Sequence, residues 1–272
     1  MSLKFFHRLK KMAVYEQIGQ GYDLTRRADP DIAARLAVHL QIKSDSSYLD
    51  VGCGTGNYTL ALAKYGGLWH GVDQSKQMID AATNKSNIVA WQVAEAEALP
   101  YADGSFSGVL CTLAIHHFAA LTPSFREIYR VLAAGHFVLF TATPEQMSKY
   151  WLVEYFPEAI HKSAEQMPSL ENVKYALNEA GFNSVNIEPY SISENLQDLF
   201  LYSGKHRPEM YLDENVRSGI STFALLASAD EIAAGCQRLA ADIRTGRITD
   251  IVNKYENNHG DYLFVIADKV AT

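Results

Sequence analysis

Leu49-Asp50-Val51-Gly52-Cys53-Gly54-Thr55-Gly56 is the stretch on which the reading of this chain turns. Ser47 to Val51 reads as a short buried strand, and residues 58–65 read as a helix stopped by Gly66-Gly67. Glycines between a strand and a helix let the backbone turn sharply and approach a ligand closely. Asp73 stands 23 residues after Asp50, at the end of a second strand that begins at Leu68. A carboxylate there can accept hydrogen bonds from both hydroxyls of a ribose, and it equally suits the N-terminus of the helix that Ser75 caps. A dinucleotide fingerprint needs its third glycine at position 57, where this chain has Asn57.

Outward from that loop, strands and helices alternate. Asp29 caps a helix with Pro30 at its first position and Ile32, Leu36 and Leu40 on one face. The helix capped by Ser75 runs to about Asn84, a third strand covers residues 88–93, and Asp103-Gly104-Ser105 forms a turn before a fourth strand over 108–112. Thr122-Pro123 opens a helix expected to end at Gly135, followed by a strand over 136–142. Such βαβ spacing implies a parallel, doubly wound sheet with right-handed crossovers. A helix from Ser169 to Gly181, a sixth strand over 183–190 and a last strand over 262–266 bring the count to seven. Residues 191–258 are too many for a simple connection and read as an inserted helical lid, with a capping box at Ser228 and Glu231.

The 272 residues carry a formal net charge of −7, a field that repels a phosphate backbone, so no nucleic-acid partner is expected. Three cysteines without a CxxC form neither a disulfide framework nor a zinc site, which points to a reducing cytoplasm and no metal. The basic stretch over residues 3–11 lacks the apolar core of roughly 7–15 residues that a signal peptide needs. No run approaches the ~18 apolar residues of a membrane span, so no membrane partner is expected.

The GxGxG pattern preceded by Asp50 resembles the first motif of class I methyltransferases that use S-adenosylmethionine (SAM), and more narrowly of the small-molecule, Methyltransferase-11-like family. The resemblance covers roughly residues 45–145. Gly71-Val72-Asp73-Gln74-Ser75 looks like the second motif and Val93-Ala94-Glu95-Ala96-Glu97-Ala98-Leu99-Pro100-Tyr101 like the third. Asp103-Gly104-Ser105-Phe106 and Arg130-Val131-Leu132 also match, while Ser107 replaces a usual Asp and Ala133-Ala134-Gly135-His136 replaces Lys-Pro-Gly-Gly.

The resemblance implies an α/β, Rossmann-like, doubly wound, mostly parallel seven-stranded sheet with an inserted helical lid. It assigns a cofactor-covering segment to residues 1–28, the SAM-binding core to 29–145, a lid segment to 146–168, a core helix and strand to 169–190, the helical lid insertion to 191–258 and the final core strand to 259–272. Asp50, Gly52, Cys53, Gly54 and Gly56 would form the cofactor loop, with Gly56 facing the methionine part. Asp73 would hold the ribose, Gln74 pack beside the adenine, Glu95 receive its amino group, and the Ala96 amide meet a ring nitrogen. Met78 is either a cover for that ring or core. Tyr15 and Tyr22 would fold over the cofactor, and Arg26 would pair with its carboxylate.

The loop after the fourth strand, Leu113-Ala114-Ile115-His116-His117-Phe118, resembles an aliphatic-then-His segment of small-molecule methyltransferases. Leu113 would line the cofactor. His116 or His117 can serve as a general base, and both can equally be structural. The Asn/Asp-Pro-Pro-aromatic signature is missing and no Cys follows a Pro, which argues against methylation of nucleic-acid bases. Two aromatic groups, Tyr150, Trp151, Tyr155 and Phe156, then Phe200, Tyr202, Tyr211 and Phe223, are either core or lining of the space above the cofactor. His206, Arg207, Glu209 and Arg217 are either an anion clamp or internal ion pairs. The expected function is methyl transfer from SAM to a small or medium organic acceptor with an apolar or aromatic portion, by a monomer or homodimer, with S-adenosylhomocysteine (SAH) as product. The alternatives are an NAD-dependent oxidoreductase and a non-catalytic SAM-binding protein.

Overall fold

The computed structural model describes residues 25–270. Its sheet has seven strands: β1 (Ser47–Val51), β2 (Leu68–Asp73), β3 (Val89–Val93), β4 (Phe106–Thr112), β5 (Leu132–Thr141), β6 (Ser184–Tyr190) and β7 (Tyr262–Lys269). Their order is β3-β2-β1-β4-β5-β7-β6. The first five run parallel, and β7 lies antiparallel between β5 and β6. The order reverses between β1 and β4, so the carboxyl ends of those strands open the crevice in which a doubly wound sheet binds ligands.

Helix α1 (Pro30–Leu40) starts as its sequence predicts, because the Asp29 carboxylate accepts from the Asp31 and Ile32 amides and Pro30 lacks the amide that would go unpaired. It buries Ile32, Leu36 and Leu40 with α2 (Asn57–Ala63) on one face of the sheet. On the other face, α4 (Leu121–Val131) and α7 (Leu170–Ala180) bury Phe125, Ile128, Val173 and Leu177. Helix α3 (Lys76–Lys85) follows β2 and is capped by Ser75.

Gly135 does not end α4. The helix stops at Val131, and Gly135 lies inside β5 with φ +145°. A Cβ there would overlap the carbonyl oxygen of Ser107, so the close strand approach at the β4–β5 irregularity requires glycine. The end of α4 is closed from across the sheet instead. Lys269 Nζ donates to the carbonyls of Tyr129 and Leu132 at 2.7 and 2.6 Å.

Between β5 and β7 the chain adds α5 (Pro144–Ser148), α6 (Pro157–Gln166), α8 (Glu214–Ser218), α9 (Ala229–Thr245) and α10 (Arg247–Lys254). The capping box expected at Ser228 and Glu231 is only half made. Ser228 Oγ accepts from the Glu231 amide at 3.1 Å, but the Glu231 carboxylate turns away and caps α6, accepting from the Glu158 and Ala159 amides at 2.8 and 3.2 Å. The complete box sits at Thr143 and Gln146. Glu231 belongs to a stripe along α9. Arg238 donates to the Tyr155 carbonyl at 2.6 Å, and Asp242 accepts from the Tyr155 hydroxyl at 2.9 Å. Gly235 lies between them against Phe156. Spacings of four, three and four residues put all of these on one helix face. The two segments expected at 146–168 and 191–258 are therefore bolted together.

A glycine-to-alanine change inside a helix normally stabilises by about 0.5–1 kcal/mol. Gly235→Ala is expected to reverse that sign. Its Cβ would overlap the Phe156 ring and lie 2.6 Å from the Tyr155 carbonyl oxygen. Overpacking of this kind costs about 1–3 kcal/mol, read as a lower melting temperature. An unchanged or higher melting temperature would refute the docking.

Candidate active site

Gly52, Gly54 and Gly56 adopt φ of +76°, +54° and +78°, which a side chain would strain, yet their surroundings differ. A Cβ on Gly52 would lie 2.6 Å from Ala114 Cβ, and one on Gly56 would overlap the Trp91 indole. A Cβ on Gly54 would meet no atom within 4 Å among the described residues. Two of the glycines thus admit neighbouring protein, and Gly54 faces open space. The loop hangs on β2, where the Gly52 and Cys53 amides donate to the Val72 carbonyl at 2.8 and 3.0 Å. The Gly54 amide donates to Asp73 Oδ2 at 3.0 Å, while Asp73 Oδ1 accepts from the Ser75 amide at 2.8 Å. Burial raises the pKa of Asp73, opposed by these two amides. Each oxygen keeps a lone pair for a further donor.

Asp50 is 2% exposed. Its Oδ2 accepts from the Thr59 hydroxyl at 2.6 Å, and its Oδ1 has no partner among the described residues. Burial pushes its pKa up to about 7, with the Thr59 bond lowering it and the Asp73 charge raising it. Leu113, after β4, has φ +55° and donates to the Phe140 carbonyl at 2.8 Å. A branched residue rarely takes that conformation, and such strain gathers at functional sites. Next comes a short 3-10 turn, Ile115–His117, which carries the rings of His116 and His117 3.8 Å apart. The Gly52–Ala114 contact lays this turn against the glycine loop.

Residues 50–56, Asp73, Leu113 and the two histidines therefore converge at the carboxyl ends of β1, β2 and β4. Within the loop, Cys53 Sγ lies 3.1 Å from a Cβ built on Gly71. Gln74 is exposed, Met78 is buried with Ile79 and Ala82 on the inner face of α3, Glu95 is exposed and Ala96 is buried. Tyr15 and Tyr22 lie outside the described residues. Arg26 reaches the crevice from the chain before α1, but its guanidinium holds Asp198 in a two-pronged bond of 2.6 and 3.2 Å. The Tyr58 hydroxyl donates to Asp198 Oδ2 at 3.2 Å, and Asn57 donates to the Arg26 carbonyl at 3.0 Å.

Two residues at this site escape the sequence reading. Trp91 faces Gly71 in strand register and fills the space left by Gly56 and Gly71, a pairing visible only from the register. Asp198 is 172 residues from Arg26 with no local signal to mark it. All eight aromatics singled out in the sequence are buried at 4% exposure or less. Tyr150 stacks on Tyr202 at 3.9 Å, and its hydroxyl lies 2.6 Å from that of Tyr211. His206, Arg207 and Arg217 bond backbone carbonyls of Ile192, Leu196 and Tyr211, all between β6 and α9.

A family model described as a methyltransferase domain matches residues 49–140, which hold the glycine loop, Asp73 and the histidine turn. A solved structure from Anabaena variabilis, assigned as a methyltransferase from an antibiotic biosynthesis pathway, is 34% identical with a TM-score of 0.81. The alignment covers 89% of this chain and 98% of that one. The chain belongs to the class I SAM-dependent methyltransferase family.

Among further relatives of this methyltransferase, the uncharacterized methyltransferase YcgJ of Bacillus subtilis is 34% identical, over 36% of this chain and 42% of its own. A demethylmenaquinone methyltransferase of Chlorobaculum parvum is 28% identical, over 54% of this chain and 70% of its own. The chain spans about half the length of several curated relatives it matches. The family's cofactor is SAM, which carries a methyl group on a sulfonium and so supplies the reactive chemistry itself. The residues present fit it: among the described residues, open space at Gly54, an unpartnered buried oxygen on Asp50, and free lone pairs on Asp73. The family match and Asn57 at the position of a third glycine set the NAD-dependent alternative aside. Among the described residues, no helix is long and apolar enough to cross a membrane.

Proposed function

We propose that this methyltransferase transfers a methyl group from SAM to a small or medium organic acceptor with an apolar or aromatic portion, releasing SAH. The observation that carries this reading is the aromatic body at the carboxyl edge of β5 and the start of β7. Phe200 and Tyr262 pack there on Phe140, whose carbonyl holds the strained Leu113, Tyr202 packs on Tyr262, and Tyr150 stacks on Tyr202. Residues 146–168 and 191–258 act as one lid, which excludes water from the reacting centre and admits a molecule small enough to be enclosed. A relative named for demethylmenaquinone fits that class of acceptor. The protein works in the cytoplasm as a monomer or homodimer, without a nucleic-acid or membrane partner.

In this reading the glycine loop, Asp50 and Asp73 orient the methyl donor, with Gln74, Met78, Glu95 and Ala96 around its adenine. Tyr15 and Tyr22 cover it. Arg26 pairs with its carboxylate and also holds the lid through Asp198. One of His116 and His117 takes the proton from the acceptor hydroxyl or amine, and the other supports it.

Tritiated SAM incubated with phenols, quinols, amines and carboxylic acids, beside protein and tRNA, tests the acceptor class. Label is expected in organic acceptors, and label confined to the macromolecules would overturn it. For the base, alanine at one of His116 and His117 is expected to lower kcat by about 10²–10⁴-fold while SAH binding stays unchanged. Losses under tenfold in both variants would remove a histidine base from the reaction.

A further inference from the structure

The helix that follows the histidine turn has no cap of its own. Ala120 stands at the N-cap position of α4 and makes no side-chain bond, so the first amides of the helix need a partner from elsewhere. It comes from the segment around Glu95. Glu97 Oε1 accepts from the Ala119 and Ala120 amides at 2.8 and 3.3 Å, and it lies 3.0 Å from the hydroxyl of the fully buried Ser124. The helix dipole favours a carboxylate at this end.

The same segment is fastened to α4 again two turns further on. The Leu99 amide donates to Glu127 Oε2 at 2.9 Å, and Arg130 donates to the carbonyls of Leu99 and Tyr101 at 3.0 and 2.7 Å. Those bonds grip the body of the helix. Glu97 grips residues 119 and 120, which come directly after the turn that carries His116 and His117. The turn is closed by the His117 amide donating to the Ala114 carbonyl at 2.9 Å and the Phe118 amide donating to the Ile115 carbonyl at 3.2 Å. Its upstream end is set by Ala114 against Gly52, and its downstream end by Glu97. Glu97 is two residues from Glu95 and next to Ala96, which shares a buried cluster with Ala114 and Ile115. The stretch that faces the adenine and the turn that carries the histidines are thus joined through one side chain.

We propose that Glu97 is a positioning residue, which fixes the histidine turn to the adenine side of the donor site and sets the reach of His116 and His117. It touches neither donor nor acceptor. The inference rests on the reading above, in which Glu95 and Ala96 lie at the adenine and a histidine takes the acceptor's proton. Donor binding then tightens the segment that holds the turn.

NMR of histidine-labelled protein tests the positioning without an acceptor, with the His116 and His117 ring resonances assigned through their alanine variants. SAH is expected to shift both resonances in wild type and in Glu97→Gln, which keeps an oxygen for the two amides. In Glu97→Ala both are expected to move in the free protein and to lose at least about half of their response to SAH, while His161 on α6 stays in place and SAH affinity stays within about threefold. Turnover of the organic acceptors in the tritium assay is expected to fall about 10- to 100-fold in Glu97→Ala and to stay within about threefold of wild type in Glu97→Gln. Unmoved histidine resonances in Glu97→Ala, or a loss of SAH affinity as large as the loss of turnover, would overturn the assignment. Displaced resonances with wild-type turnover would instead keep the positioning and remove the histidine base. Should Glu97→Ala fail to fold, Glu97→Asp keeps the charge and shortens the reach by one methylene. It is expected to displace the same two resonances, and wild-type positions in it would overturn the role.

Discussion

Gly54→Ala is expected to stay folded and to lose most of its affinity for SAH, whereas Gly56→Ala is expected to lose stability first. Both positions have φ in the left-handed region, so each alanine costs about 1–2 kcal/mol in backbone strain. At Gly54 nothing further is added, because the new methyl points where no described atom lies within 4 Å. That space is where the cofactor is expected to lie. A methyl placed there weakens SAH by about 10- to 100-fold, taking about 1–3 kcal/mol for the overlap. At Gly56 the methyl runs into the Trp91 indole, which Trp91 Nε1 anchors by donating to the Ser86 carbonyl at 2.8 Å. Strain and overpacking together reach about 2–5 kcal/mol, a fall of roughly 5–15 °C in melting temperature for a chain of this size. Replacing the indole with a smaller side chain in Gly56→Ala/Trp91→Leu is expected to recover part of that loss. Differential scanning fluorimetry and SAH titration separate the two glycines. Wild-type SAH affinity in Gly54→Ala would show that the open space is not the cofactor's.

Asp198→Ala is expected to destabilise the protein by about 3–5 kcal/mol, because it leaves a largely buried guanidinium without its carboxylate. Asp198 has 2% of its side chain exposed and Arg26 has 15%, so solvent screens the pair little. The carboxylate also accepts from Tyr58, and its neighbours are fastened separately. The Gln197 amide donates to Asp29 Oδ2 at 2.9 Å, and the Leu199 amide donates to the Thr25 carbonyl at 3.0 Å. Breaking one member therefore loosens a clasp between the insertion and the start of α2, two residues from Gly56. A buried ion pair replaced as a whole by apolar groups is often neutral, so Arg26→Met/Asp198→Leu is expected to melt well above Asp198→Ala. Chemical denaturation of the three proteins measures this. A loss under about 1 kcal/mol in Asp198→Ala would place the pair among ordinary surface bridges.

The parallel core was legible because its signals are local. Asp29-Pro30 and Ser75 cap helices where predicted, and the glycine loop lies between β1 and α2 as read. The misreadings share a cause. Glycine usually ends a helix, yet Gly135 is a glycine for Ser107 on the neighbouring strand. Glu231 completes a local capping pattern by position but spends its carboxylate on α6, 73 residues away in sequence. Beside these, Arg26 gains a partner that no local signal marks, the Asp198 carboxylate.

By itself, then, the sequence determined the alternation of strands and helices and the glycine turn between β1 and α2, since periodicity, caps and a spaced glycine motif act within a few residues of one another, and its resemblance to class I methyltransferases pointed to the family. Only the tertiary structure decided which glycine faces open space, which aromatics are core, and which buried oxygens lack a partner. Those properties depend on what arrives from distant strands and helices, such as Trp91 beneath Gly56 and Asp198 on Arg26.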